Sequence, residues 1–198
     1  TANTVVIGQS TDVGGLVGQM VGSASIQSSG SLGAVSGVGS VGGLVGSMFN
    51  SSNVSGSYAN ANVTSTGGNT GGFVGYFSTT GSITNSRASG SVSGTSSVGG
   101  FIGYMTNSGG ISSSYATGIV KATGDYAGGF IANVQDNYTR TIENFYATGA
   151  VTATGQYVGG LVGYNNSAIS TSYASGNVTN TSHHTGGLVG SSVVGLEH

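Results

Sequence analysis

A five-residue block, Gly-Gly-(Leu/Phe)-(Val/Ile)-(Gly/Ala), recurs along the whole chain and constrains its fold more than any other feature. It begins at spacings of 28, 29, 28, 29, 31 and 27 residues, at Gly14, Gly42, Gly71, Gly99, Gly128, Gly159 and Gly186. A second block, built around Ser-Tyr-Ala and a following Gly and Val, lies between these glycines and is clearest at 111–120 and 169–178. A fixed period of this length indicates units that each pack on their neighbours.

Each unit contains three short extended segments, because Val, Ile, Tyr and Thr favour strands. Glycine accounts for 40 of the 198 residues, which argues against helices. A three-stranded unit cannot bury an apolar face alone and must stack, while a propeller blade needs about 40 or more residues. We therefore predict an all-β solenoid of about six to seven coils with three short strands per coil, roughly 30 Å long.

The repeats predict one solenoid domain over residues 1–195. A partial coil spans 1–13, full repeats span 14–185, and a second partial coil spans 186–195. The final Leu196-Glu197-His198 is typical of the start of a purification tag, so we expect a fragment cut from a longer array.

The composition excludes several classes of function. The chain has 3 basic and 5 acidic residues and a formal net charge of −2, too few cations for a surface that holds nucleic acid. It has no Cys, which rules out disulfides and thiolate zinc sites, and few acids for calcium. No apolar stretch approaches the roughly 20 residues of a membrane helix. We expect no cofactor, no nucleic acid and no membrane insertion.

The two exceptional cations reveal which side of the strands faces water. Lys121 lies on one parity of the segment after Tyr115, and Arg87 replaces the repeated Tyr on the same parity. Charges are almost never buried without a partner, so this parity should face solvent. The other parity, with Ala116 and Val120, should face inward, and its small side chains should let facing strands approach closely.

The outward parity carries four residues per coil, mostly Ser, Thr and Asn. With alternate residues about 6.7 Å apart and coils about 4.8 Å apart, they predict a regular grid. We name its candidate binding residues the hydroxyl face: Thr64, Thr66, Ser93, Thr95, Thr117, Thr123, Thr148, Thr152, Thr154, Ser175, Thr179 and Thr181. Lys121 interrupts this face, and Leu32, Ala34 and Val38 break it in the first full coil.

The Gly-Gly blocks predict the main core. Leu44 and Met48 share a parity and should form an inward ladder with their equivalents. Val17 and its equivalents would then face outward beside Tyr76 and Tyr104. A corner at the glycines would instead bury both apolar residues.

These blocks resemble the GLUG motif, a bacterial repeat with a Gly-Leu-any-Gly core. The motif is carried by 15–18, 43–46, 160–163 and 187–190, and the resemblance covers about residues 6–195. Family members are mostly large secreted or surface proteins, including adhesin-like proteins and some immunoglobulin-A-cleaving metallopeptidases. The resemblance implies an extracellular bacterial location. It also implies a non-catalytic segment, because the His-Glu-x-x-His zinc site of those peptidases is absent.

Catalytic residues are sparse. A nucleophilic Ser or Thr needs a positioned base and an orienting acid. His183 and His184 lie in a turn, far along the chain from every acid except Glu197. We expect the protein not to be an enzyme.

Two other features have competing interpretations. The irregular coil 133–144 holds Asp136, Tyr138, Arg140 and Glu143, either as a binding loop or as a solvated loop with a weak ion pair. A row of tyrosines is either a sugar-stacking surface or a ladder covering a corner: Tyr58, Tyr115, Tyr146 and Tyr173.

The hydroxyl face favours ice binding. An uncharged lattice of hydroxyl and methyl groups can order water, and Thr-x-Thr pairs at 64/66, 152/154 and 179/181 are similar to the rows of β-solenoid antifreeze proteins. The alternative is a repetitive stalk or adhesin segment that binds carbohydrate or host protein. Thr is also simply a good strand residue on a solvated face.

Overall fold

The computed structural model describes residues 1–106, 109–135 and 142–194, and all regular structure in these ranges is β. It comprises 31 strands that are arranged in four parallel sheets. None of the described residues belongs to a helix long and apolar enough to cross a membrane.

The chain passes through the four sheets in the same order in each coil. The first sheet contains β1 (Val6–Ile7), β6 (Ala34–Gly37), β11 (Asn62–Ser65), β16 (Val92–Gly94), β20 (Val120–Ala122), β24 (Val151–Ala153) and β29 (Val178–Asn180). The second contains β2 (Val13–Gly14), β7 (Val41–Gly42), β12 (Asn69–Gly71), β17 (Ser96–Gly99), β21 (Ala127–Gly128), β25 (Val158–Gly159) and β30 (Thr185–Gly186).

The third sheet follows directly after the Gly-Gly pairs. It contains β3 (Val17–Met20), β8 (Val45–Asn50), β13 (Val74–Thr79), β18 (Ile102–Thr106), β22 (Ile131–Val134), β26 (Val162–Asn165) and β31 (Val189–Ser192). The fourth contains β4 (Ser25–Gln27), β5 (Gly30–Ser31), β9 (Asn53–Ser55), β10 (Tyr58–Ala59), β14 (Ser82–Thr84), β15 (Arg87–Ala88), β19 (Gly110–Ala116), β23 (Ile142–Ala147), β27 (Ile169–Ser170) and β28 (Tyr173–Ala174).

Equivalent residues of successive coils pair in parallel register. Val63, for example, lies between Val35 of the preceding coil and Val92 of the next. The predicted β-solenoid of about six turns with three strands per coil is therefore confirmed. The short strands before the glycines, most of them only two residues long, add a fourth sheet that the sequence analysis did not separate.

The predicted inward and outward parities are confirmed along the segment after the tyrosines. Ala116 and Val120 are fully buried, whereas Thr117 and Lys121 are exposed. The alternation follows from the period of two in a strand, which sends successive side chains to opposite faces.

The interior is divided into two cores rather than one. A core of small apolar residues, mainly Val and Ala, lies between the first and second sheets. The larger core lies between the third and fourth sheets and contains the stacked rings of Phe73, Phe101 and Phe130, whose centroids are 4.5 and 4.6 Å apart. Such stacking of identical residues stabilises each coil against its neighbours.

The structure corrects the expectation that Val17 and its equivalents face outward. Val45 is completely buried and packs in the same core as Leu44, and Val74 behaves alike. The chain turns at the Gly-Gly pair between the second and third sheets, so two consecutive apolar residues both point inward. The predicted core ladder through Leu44 and Met48 is confirmed.

Each glycine of the Gly-Gly pair is required by a different steric contact. A Cβ on Gly42 would overlap the carbonyl oxygen of Val45 within the same turn. A Cβ on Gly43 would overlap the carbonyl oxygen of Gly72 in the next coil and lie 3.1 Å from the Cβ of Ala59 across the interior. The close approach of this corner to the alanine ladder separates the two cores.

Replacing Gly43 by Ala is expected to destabilise the protein by about 3 kcal/mol or more, because the new methyl group would overlap the backbone of Gly72 and press on the Cβ of Ala59. Gly110→Ala is the matched control, since a Cβ there meets no described atom within 4 Å. Urea unfolding of both variants measures the difference. Equal free energies of unfolding would contradict the steric account.

Replacing Thr70 by Val is expected to stabilise the protein by about 1 kcal/mol. Thr70 is fully buried, and its Oγ1 has no hydrogen-bond partner among the described residues. Valine has nearly the same shape, and the neighbouring coils already place Val41 and Val98 at this position. A lower midpoint of thermal unfolding in Thr70→Val would show that the hydroxyl is satisfied.

Candidate functional site

The first sheet holds four residues of the hydroxyl face in unbroken register, and the other eight flank its strands. Its third outward position forms one column along the rod, comprising Ile7, Ser36, Thr64, Ser93, Lys121, Thr152 and Thr179. Register of this kind keeps equivalent side chains one strand spacing apart, about 4.8 Å, over the whole column.

The structure brings the predicted residues of the hydroxyl face to one surface. Ser93 is half-buried, and the others are exposed: Thr64, Thr66, Thr95, Thr117, Thr123, Thr148, Thr152, Thr154, Ser175, Thr179 and Thr181. The residues that alternate with them, such as Val63 and Val151, are buried in the core between the first and second sheets. The surface is therefore backed by packed core.

Side-chain hydrogen bonds link successive coils in both halves of the grid. On the side nearer the tyrosine row, Ser89 Oγ donates to Asn60 Oδ1 at 2.8 Å and Ser91 Oγ donates to Asn62 Oδ1 at 2.9 Å. These side chains link successive coils. The hydroxyl donors of Ser89 and Ser91 are therefore already used within the protein.

Hydroxyl groups also donate within the protein in the half of the grid that carries the Thr-x-Thr pairs. Ser93 Oγ donates to Thr64 Oγ1 at 3.3 Å, a long bond, and Thr154 Oγ1 donates to the backbone oxygen of Thr123 at 2.9 Å. A hydroxyl that donates once keeps both acceptor lone pairs for water. This half presents acceptors and methyl groups together.

The interruptions predicted from the sequence are real surface features. Lys121 is exposed and pairs in register with Ser93 and Thr152. It borders a hollow of about 210 Å³, lined also by Ser91 and by Ile119, which is 48% exposed. The grid is therefore uneven around this coil.

The tyrosine row on the fourth sheet forms a stacked ladder. The ring of Tyr146 lies 4.9 Å from that of Tyr115 and 5.1 Å from that of Tyr173, with planes within 6°. The Arg87 guanidinium replaces a ring and lies 4.8 Å from the centroid of Tyr58 in the preceding coil. This geometry supports the interpretation of a ladder that ties coils together at a corner.

A second group of aromatic residues escaped the sequence analysis as a group. We define the tyrosine cluster as Tyr76, Tyr104, Tyr126, Tyr157 and Tyr164. Stacked pairs join 76 to 104 at 5.6 Å and 126 to 157 at 5.1 Å, and ring 164 meets 126 and 157 edge-on. The recurrence of Tyr after 31 residues at 126 and 157 was the available signal.

The remaining candidates are dispersed. His184 stacks on Tyr157 at 4.9 Å, while His183 is exposed. Within the described ranges, no group of three His, Cys, Asp or Glu side chains could hold a metal ion. Asp136, Tyr138 and Arg140 of the irregular coil, like Glu197 and His198, lie outside the described residues.

The two ends of that coil are described. Glu143 is exposed on the fourth sheet, opposite Ser112 of the preceding coil. Phe145 is buried, with its ring 4.5 Å from that of Phe130. One end of the irregular coil is thus fixed by the larger core.

Comparison with protein families gives one result. The model of the GLUG motif matches residues 66–93 and 154–179. The protein carries GLUG repeats. Comparisons with curated proteins and with solved structures gave no significant match. The steric requirements at the Gly-Gly corner explain physically why a GLUG repeat is built on these glycines.

The tyrosine cluster predicts a loss of stability at alkaline pH. Burial, followed by the proximity of Tyr76 and Tyr126, raises the pKa of Tyr104 above its ordinary value of 10.0, and burial is also the main cause of the raised pKa of Tyr126. A raised phenol pKa stabilises the fold below the unfolded pKa, and that stabilisation is lost as the pH rises through the folded pKa.

Urea unfolding at neutral pH and at a pH above 10 should therefore show a lower free energy of unfolding at the higher pH. The variant Tyr104→Phe/Tyr126→Phe removes both phenols and should lose less stability over the same interval. A wild-type protein whose stability is constant across pH 10 would contradict this prediction.

Proposed function

We propose that this protein is a non-catalytic binding protein that binds ice through its hydroxyl face. The observation that carries the proposal is the unbroken register of the seven-stranded first sheet, which repeats the same outward positions in every coil. An ordered solid presents a repeating surface, and only a protein surface with its own repeat can meet it at many points at once.

The chemistry of the side chains fits this role. Thr combines a hydroxyl that hydrogen-bonds water with a methyl group that water hydrates in an ordered shell. Its branched side chain has few rotamers, so little conformational entropy is lost when it is held against a surface. Lys121 is the only charged residue in the grid, so few strongly hydrated groups compete with the ice surface for water.

The two columns nearer the second sheet are the best part of this face. The outermost column is Thr in five successive coils, namely Thr66, Thr95, Thr123, Thr154 and Thr181. The Asn and Ser residues of the other two columns bond to one another and carry no methyl group. We place ice contact at the Thr-x-Thr pairs.

The proposal includes a secreted or cell-surface location, which rests on the GLUG resemblance. It requires neither a cofactor nor an enzymatic residue. The partner is a crystal surface.

Thr152→Tyr/Thr154→Tyr is expected to abolish ice binding while the rod stays folded, because two rings would lift the face away from the crystal. The measurement is thermal hysteresis, read as growth arrest and faceting of a single ice crystal in micromolar protein. Ser25→Tyr/Gln27→Tyr is the matched control, since these exposed residues share the same spacing on the fourth sheet. It should keep the freezing gap.

Lys121→Thr is expected to strengthen ice binding. It restores a hydroxyl between Ser93 and Thr152 and should widen the freezing gap. A crystal that grows as in buffer beside folded wild-type protein would refute ice binding. The stalk or adhesin alternative would then be the function to test.

A further inference from the structure

Two members of the tyrosine cluster have an unusual backbone conformation. Tyr126 and Tyr157 have φ angles of 63° and 60°, in the left-handed region that a bulky residue rarely adopts. The same corner is occupied by Ser97 in the preceding coil and by His184 in the following one, also with positive φ. Asn or Gly would fit here at lower cost, so the rings are present despite a conformational penalty.

The rings at this corner form an angled surface. Tyr126 and Tyr157 stack with planes 10° apart, and the ring of Tyr164 stands at 84° and 82° to them at distances of 6.1 and 5.7 Å. All three are only half-buried. They therefore present ring edges and phenol groups to solvent in two orientations.

The aromatic surface continues along the rod into a groove. Tyr104 stacks on Tyr76, whose ring lies 5.7 Å from that of Phe49. From Tyr76 to Tyr164 is three coil steps, about 14 Å. Phe49 then lines a groove of about 580 Å³ together with Val21, Asn50, Ser51, Ser78 and Thr80.

Polar groups lie beside the rings. The exposed carboxylate of Asp125 precedes Tyr126 in the chain and accepts a hydrogen bond from the backbone N–H of Gln156 at 2.7 Å. Burial raises the pKa of Tyr126, with smaller effects from Tyr157 and Asp125, so its phenol remains a proton donor at neutral pH. The surface thus offers both donors and acceptors.

The charges near this surface exclude anionic ligands. Of the cations in the described part of the chain, Arg87 lies on the fourth sheet over Tyr58, and Lys121 lies on the first. The formal charges beside this surface are both negative, namely the carboxylate of Asp125 and that of Asp12, which accepts a hydrogen bond from Ser47, the neighbour of Tyr76 in the preceding coil. A nucleic acid or an acidic glycan would be repelled rather than attracted.

We propose that the tyrosine cluster and the groove at Phe49 form a binding surface for a linear neutral polysaccharide. Sugar rings offer C–H groups that pack against aromatic side chains, and hydroxyl groups that bond to carboxylates, amides and phenols. Tyr supplies this contact area at low cost in conformational entropy. The elongated strip suits a chain of several sugar units.

This surface is separate from the hydroxyl face. It lies on the third sheet and at the corner that precedes the second, whereas the hydroxyl face lies on the first. The two surfaces adjoin, because Thr123 and Thr154 lie three residues before Tyr126 and Tyr157, but they share no residue and are tested by different measurements.

The test is co-sedimentation of the 198-residue protein with cellulose, chitin and mannan. Tyr126→Asn/Tyr157→Asn removes both strained rings and puts in their place a residue that tolerates positive φ, so the variant should stay folded. The wild-type protein is expected to bind at least one polysaccharide, and the double variant to bind it about tenfold more weakly or worse.

Tyr115→Ser/Tyr146→Ser is the matched control, because it removes an equally stacked pair from the fourth sheet. This variant and Thr152→Tyr/Thr154→Tyr should both bind like the wild type. The proposal is overturned when none of the three polysaccharides sediments the protein. It is also overturned when the Tyr126/Tyr157 double variant, shown by circular dichroism to be folded, binds with unchanged affinity.

Discussion

The close approach of backbone at the Gly-Gly corner is the constraint on which the rest of the structure depends. Gly43 lies so near the carbonyl oxygen of Gly72 in the next coil and the methyl group of Ala59 that no side chain fits. The same contact recurs between Gly100 and Ala116, Gly129 and Ala147, and Gly160 and Ala174, whereas Gly15 faces Ser31 and Gly72 faces Val92. A row of close backbone contacts therefore runs along the rod and divides its interior into two cores.

The surfaces of the rod follow from this division. Because the first core holds only small residues, the first sheet lies close above the second and its strands stay in register from β1 to β29. Side chains on the outer side then repeat at fixed intervals. The regular spacing of the hydroxyl face thus follows from the same steric requirement that produces the GLUG repeat. The Thr residues at these regularly spaced positions supply its chemistry.

The two proposed surfaces differ in how their residues relate to the repeat. The hydroxyl face consists of positions that obey the repeat, and its exceptions, such as Lys121, weaken it. The tyrosine cluster consists of positions whose residue changes between coils, since Tyr126 and Tyr157 occupy a corner where Ser97 stands one coil earlier. In a solenoid, residues that repeat at regular spacing form a lattice, and residues that differ from one coil to the next form local sites.

The repeat, the solenoid and the water-facing side of the strands after the tyrosines can all be read from the sequence. These follow from periodicity and from the cost of burying Lys121 or Arg87, which are local properties of the chain. Only the tertiary structure decided that the corner buries both Leu44 and Val45, that Ser91 bonds to Asn62, and that the tyrosine cluster assembles. Each of these depends on how far the chain turns at the glycines and on which residues of neighbouring coils it brings within contact distance.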